Sequence, residues 1–191
     1  MKNLIKILCL SLIGCNSEDN SNLKLVENIN IFVDYDKLSS NYNFSDSSTI
    51  FNPPINWTRS SKDAIEAFNK KLNDNDNVID INVEDSFISD DGSFVLISRI
   101  NSNESNFNYI PKDYLELMKE QFSVDSIIHY TFNVNNILVR QYLITLENIM
   151  IFKIFIENNN NFELDFFLSK ELYNNQIKSI ESSIGSIKRR K

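Results

Sequence analysis

Four strand-like segments follow one another almost without a break, at Ile127–Val134, Ile137–Thr145, Ile149–Glu157 and Phe162–Leu168. The joints between them are only Asn135-Asn136, Leu146-Glu147-Asn148 and the run Asn158 to Asn161. Parallel neighbours need a crossover of a dozen residues or more, so joints this short permit only antiparallel hairpins. The second half of the chain is therefore an antiparallel meander. Upstream, Val78, Asp80, Asn82 and Glu84 alternate with Ile79, Ile81 and Val83, giving one polar and one apolar face. The turn Asp90-Asp91-Gly92 joins that stretch to Ser93–Ile100 as a hairpin.

Three helices interrupt these strands. Ser60 or Ser61 caps a helix over Lys62 to Leu72, with Ile65, Phe68 and Leu72 on one face. Pro111 opens a second through Tyr114, Leu115, Met118 and Phe122, in the position where its missing N–H costs nothing. Ser169 caps a third from Lys170 to about Lys188, with a stripe of Leu172, Ile177, Ile180 and Ile184. Ile29–Val33 reads as a short first strand, and Asn52-Pro53-Pro54-Ile55-Asn56 as an extended turn that delivers Trp57. The order predicts an α+β domain in which helices cover an antiparallel sheet. Fourteen Phe and seven Tyr can fill its core. With only three Gly and three Pro, the turns must fall to Asn and Asp, which tolerate left-handed backbone. The run Asn158 to Asn161 is read as such a turn, because strands flank it.

The first fifteen residues are of another kind. Lys2 and Lys6 form a positive start, Leu4 to Ile13 is almost wholly apolar, and Leu12-Ile13-Gly14 precedes Cys15. An apolar run of about ten residues is too short to span a bilayer, which needs ~20. This order resembles a bacterial lipoprotein signal ending in a lipobox, whose cysteine is acylated and becomes the new N-terminus. The resemblance implies a signal peptide at 1–14, a lipidated Cys15 with a polar tether over 15–28, and a single domain over 29–191. Asn16 is not the aspartate that resembles an inner-membrane retention signal. Ser17-Glu18-Asp19 is similar to acidic tracts behind the cysteine of surface-exported lipoproteins. The implied location is the outer membrane, lipid-anchored, facing the periplasm or the cell surface. Both cysteines, Cys9 and Cys15, lie in this region, so the domain's stability rests on no disulfide.

The net charge is −7, and removing residues 1–14 takes away two lysines and no acid. Such a surface is repelled by phosphate, which excludes nucleic acid and argues against membrane contact beyond the lipid. Lys188–Lys191 reads as the cationic end of the last helix. His129, the one histidine, reads as a half-exposed strand residue opposite a core face of Ile128, Tyr130 and Phe132. A single His and no domain cysteine leave no nucleophile–base pair and no zinc set. Asp74-Asn75-Asp76-Asn77 begins like a calcium loop, but Ile79 stands at its sixth position in place of glycine. Asp85 and Asp90-Asp91 flank the hairpin with no sign of the burial that acid/base work requires. No catalytic, metal or cofactor residue is assigned. Possible partner-binding residues are Trp57, with Phe51 and Tyr42 nearby, and Phe107 and Tyr109 in a polar loop. The expectation is a non-enzymatic protein-binding or scaffold domain engaging an envelope partner. The alternatives are a small-ligand carrier, which needs a cavity of several hundred Å³, and a hydrolase assembled from Asp, Glu and Tyr groups.

Three segments together resemble the PsbP-like fold of the photosystem II extrinsic protein, a Ran-binding nuclear import factor and many small bacterial lipoproteins. They are Phe51-Asn-Pro-Pro-Ile-Asn-Trp57, the strand Asp91-Gly-Ser-Phe-Val-Leu-Ile-Ser98 with the meander behind it, and Ile180-Glu-Ser-Ser-Ile-Gly-Ser-Ile187. The resemblance covers roughly residues 29–187. It implies an α/β/α sandwich and brings no shared catalytic residues, since members mostly bind proteins or have no assigned role.

Overall fold

A computed structural model of the chain describes residues 31–45, 48–73, 80–101, 112–157 and 162–190. In chain order these form β1 (Tyr42–Asn43), β2 (Thr49–Phe51), β3 (Thr58–Arg59), α1 (Lys62–Asn73), β4 (Asp80–Ile88), β5 (Phe94–Asn101) and α2 (Lys112–Phe122). Then follow β6 (Ile128–Val134), β7 (Ile137–Thr145), β8 (Ile149–Glu157), β9 (Phe162–Ser169), α3 (Tyr173–Gly185) and β10 (Lys188–Arg189). The Ser61 hydroxyl accepts from the Ala64 N–H at 3.3 Å, so Ser61 is the cap of α1.

Seven strands make one antiparallel sheet in the order β3-β4-β5-β9-β8-β7-β6. β6 to β9 lie side by side in chain order, as their short joints require. Asn135 and Asn136 have φ of 49° and 63°, the double left-handed geometry of a two-residue hairpin turn, with Val134 opposite Ile137. Asparagine thus does the work of glycine there. The interior strand β8 is buried on both sides, and its two sides feed two separate clusters. Ile154 and Ile156 pack with Val95, Ile97, Val139, Leu164, Phe166 and the α3 residues Ile180 and Ile184. Ile151 and Phe155 pack with Ile100, Tyr142, Ile144 and Met118 of α2. Strand alternation puts these sets on opposite faces of the sheet. The face joined to α3 also receives a small sheet of order β1-β2-β10, through rings such as Phe44 against Phe162 at 4.5 Å.

Three sequence expectations are corrected here. The last helix ends at Gly185, and Lys188–Arg189 form a strand paired with β2 instead of a cationic helix end. Side chains stop the helix and aim the chain: the Ser186 hydroxyl accepts from the Asn52 N–H at 2.7 Å, and Ser183 donates to the Asn52 carbonyl at 2.7 Å. The Asn135 amide donates to the carbonyls of Gly185 and Ile187 at 3.1 and 2.8 Å. Ser169 caps nothing with its side chain, and a 3₁₀ turn at Lys170–Leu172 precedes α3. The expected strand at Ile29–Val33 is not one over its described part, residues 31–33. Ile31 and Val33 instead lie against α3, where a Cβ on Gly185 would sit 2.8 Å from both.

The β4–β5 turn is fastened to α3. Asp91 accepts from the Ser89 hydroxyl, from the Ser93 N–H at 3.0 Å and from the Gln176 amide at 2.6 Å. Partial burial opposes its charge, but these donors prevail and hold the carboxyl at about 2. Its folded value lies below the unfolded one, so its stabilisation is full above pH ~4 and is lost as pH falls towards 2. Asp91→Ala should cost about 1 kcal/mol at pH 7, a figure kept small by solvent screening. In thermal melts the difference from the parent should shrink between pH 4 and pH 2.

Candidate functional site: a bulged strand beside a polar cleft

The site is built on an irregularity in β4. Its register with β5 runs Asn82↔Arg99, Val83↔Ser98, then Asp85↔Ile97, so Glu84 is an extra, unpaired residue. A bulge of this kind swaps the facing of everything beyond it. Val83 stands opposite Ser98, whereas Asp85 stands opposite Ile97, a residue of the α3-side cluster. Two consecutive carboxylates are thereby directed to the same side, where β1 and the end of β3 approach. Between these elements lies a cleft of about 480 Å³ lined by Asn41, Tyr42, Asn43, Ser45, Arg59 and Glu84.

Each carboxylate has its own guanidinium. Arg99 Nη2 lies 2.8 Å from Glu84 Oε1 and also reaches Ser45, which donates to Glu84 at 2.5 Å. Arg59 Nη2 lies 2.5 Å from Asp85 Oδ2, with the Arg59 side chain 66% exposed and that of Asp85 only 3%. The Ser86 N–H donates to Asp85 Oδ1 at 2.9 Å. The Tyr42 phenol lies near Asp85; burial, and next the Asp85 charge, push its ionisation upward, so it keeps its proton. The hydrogen bond to Asp85 likewise raises Arg59, with burial opposing. The Arg59 guanidinium sits 5.9 Å from the centre of the Tyr42 ring, which packs edge-on against Phe44, Phe51 and Phe87. Arg59 is therefore an exposed cation held by a buried carboxylate and leaning on a ring anchored in the core.

A second charged cluster lies inside the sheet. Lys153 on β8 stands directly opposite Asp165 on β9, with Nζ 2.7 Å from Oδ2, and also pairs with Glu163. All three are buried, Glu163 completely. Burial pushes the Glu163 carboxyl well above its usual range, and the Asp165 charge adds to this while Lys153 opposes it. Of the cluster, Glu163 is thereby the carboxyl pushed toward its neutral form. This cluster faces the α2-side core and has no outlet to the cleft.

The residues singled out from sequence fall differently. Trp57 is 7% exposed with its ring edge-on to Phe166 at 6.2 Å, so it serves the core and not a surface patch. Phe107, Tyr109, Cys15 and the Asp74–Asn77 turn lie outside the described residues. His129 is exposed on β6 and stacks with Tyr142 at 6.2 Å. Its expected core-facing neighbours Ile128 and Tyr130 are 51% and 39% exposed, because the start of β6 runs past the core; Phe132 is buried as expected. Asp85 is buried, against expectation, whereas Asp90 and Asp91 remain at the turn surface. Among the described residues no three His, Cys, Asp or Glu groups converge to hold a metal.

Sequence reasoning missed Arg59, Glu84 and Arg99. The signal was present: the apolar series Ile79, Ile81, Val83 meets Asp85 where the period of two demands another apolar residue. That break marks the bulge.

No family model matches the sequence, and no curated protein matches it. Among solved structures the chain is similar to cyanobacterial PsbP (CyanoP) from Synechocystis, with TM-score 0.51 and 10% identity over 79% of this chain and 92% of that one. It also aligns with PA94, a protein of unknown function from Pseudomonas aeruginosa, with TM-score 0.36 and 12% identity over 77% of this chain and 94% of the other. The first of these bears out, at the level of fold, what the Pro-Pro-Trp segment, the hairpin strand and the closing helix implied: the chain has a PsbP-like fold.

Proposed function

We propose that this chain is a lipid-anchored protein of the bacterial outer membrane that acts by contact with an envelope protein, without catalysis, through the cleft beside Arg59. The signal-like Met1–Cys15 supports the anchor, and among the described residues no helix is long and apolar enough to cross a membrane. The two apolar faces of the sheet, one joined to α3 and the other to α2, support an α/β/α sandwich as the scaffold. The observation that carries the contact reading is the mutual neutralisation of the cleft's charges. Arg59 is paired with Asp85 and Arg99 with Glu84, so neither carboxylate is placed to shuttle protons. The one histidine stands on β6, five strand spacings or roughly 24 Å from β4. Ligand-carrying pockets are lined mostly by apolar groups, whereas this open cleft is lined by amides, a hydroxyl, charged groups and the single ring of Tyr42, which favours contact over small-ligand carriage.

The test is photo-cross-linking in intact cells, with a photoreactive residue in place of Asn41 at the cleft or of Tyr130 at the far sheet edge. A discrete adduct from position 41 and none from position 130 is the expected result. Adducts from position 130 alone, or none from 41, would dismiss the cleft as the contact surface.

A further inference from the structure

Resting on that reading, we infer that the cleft recognises a carboxylate presented by the protein partner, with Arg59 as the receptor. Asp85 engages Arg59 through Nη2, and no other described residue accepts from the guanidinium. The remaining edge of its donor fork is turned to solvent in a side chain that is two-thirds exposed. Long exposed arginines usually sample many rotamers, and ordering one on binding is costly. Here that cost is already met: Asp85 is buried and fixed by the Ser86 N–H, and it holds the guanidinium beside the Tyr42 ring. A planar fork with two parallel donors matches a carboxylate in a bidentate pair.

The rest of the cleft has the same polarity of need. Asn41 and Asn43 can donate through their amides, Ser45 already gives its one proton to Glu84, and Glu84 is committed to Arg99 and Ser45. The unspent capacity is therefore for acceptors. Phosphate dianions are disfavoured, because Glu84 and Asp85 lie within the same cleft wall and the chain as a whole carries −7. A single carboxylate meets less of that repulsion. A volume of about 480 Å³ accommodates one or two residues of an extended segment and not a folded domain.

Binding should be measured on the full chain in mild detergent by calorimetry, with acetyl-triglutamate amide, acetyl-triglutamine amide, acetyl-dialanine with a free C-terminus, and inorganic phosphate. The triglutamate or the free C-terminus should bind saturably, which distinguishes a side-chain from a terminal carboxylate, and triglutamine should not. Arg59→Ala should weaken that binding at least tenfold, Arg59→Lys should fall between, and Lys62→Ala, a nearby exposed cation on α1, should leave it unchanged. Equal loss in Lys62→Ala, binding by triglutamine, insensitivity to Arg59→Ala, or displacement of the peptide by millimolar phosphate would each overturn the inference. A cross-link from position 41 combined with no peptide binding would overturn this inference alone. Absence of that cross-link would remove the reading beneath it as well.

Discussion

Lys153→Met should destabilise the domain by roughly 3–5 kcal/mol at pH 7, a drop of about 10 °C in melting temperature. The substitution preserves volume but takes away the ammonium that Asp165 and Glu163 share in the closed interior of the sheet. Removing the other charged partner candidate should behave in the opposite way. Burial pushes the Glu163 carboxyl toward its neutral form, so Glu163→Gln, which supplies a neutral group of the same shape, should cost far less than Lys153→Met at acidic pH. The sign of the pH dependence follows from the raised folded-state value. An unfolded glutamate gives up its proton near pH 4.3, so the folded chain retains a proton that the unfolded one loses. The stability this lends is full below that pH and is lost as pH rises through the folded value. Relative to Glu163→Gln, the parent should therefore grow weaker between pH 5 and pH 8. Denaturant melts across that range decide the matter; parallel curves for the two proteins would mean that Glu163 is ionised and the charge assignment wrong.

The same cluster illustrates where sequence patterning stops being informative. The meander was legible because its evidence is arithmetic: joints of two to four residues exclude every connection except a hairpin, and paired asparagines can adopt the left-handed backbone those turns need. Lys153, Glu163 and Asp165 also sit at alternating positions, and alternation alone reads as an exposed polar face. What makes them buried is a second layer on that side of the sheet, a tertiary fact carried by Met118 and its neighbours and not by β8 or β9 themselves. The last helix was overextended for a similar reason. Nothing local in Ser182–Ile187 forbids another turn of helix; the hydrogen bonds that end it come from Asn52 and Asn135, 134 residues away in the first case and 50 in the second.

The cleft was half legible. Tyr42 was noted as one of the rings near Trp57, yet it reaches Asp85 while Trp57 turns into the core. Tyr42 precedes the Pro-Pro segment and Trp57 follows it, and packing sends them different ways: Asn56, at φ 65°, reverses the chain so that the Trp57 ring meets Phe166. Arg59 and Arg99 lie forty residues apart, and no spacing rule joins them. The bulge does so by inserting Glu84 into β4, the one strand that carries both their partners.

Cys15→Ala should release the protein from the membrane altogether. Each buried CH₂ contributes roughly 0.8 kcal/mol, and one acyl chain alone holds a protein only marginally, so firm anchoring needs the several chains that a lipobox cysteine receives. Losing the thiol removes all of them together. Metabolic labelling with an alkyne-bearing palmitate should mark the parent and not the variant, and detergent phase partition should move the variant to the aqueous phase. Label persisting in Cys15→Ala, or continued membrane association without label, would sink the anchor and point to Leu4–Ile13 itself as the attachment. The substitution also separates location from recognition. Residues 16–30 can reach at most about 50 Å when fully extended, so an anchored domain searches for its partner only within that distance of the bilayer. With Cys15 in a tether, as its resemblance implies, the variant should melt at the parent's temperature with its Arg59–Asp85 pair intact. If the cross-link from position 41 then disappears in cells while peptide binding in solution is unchanged, the partner is one that the tether alone brings within reach.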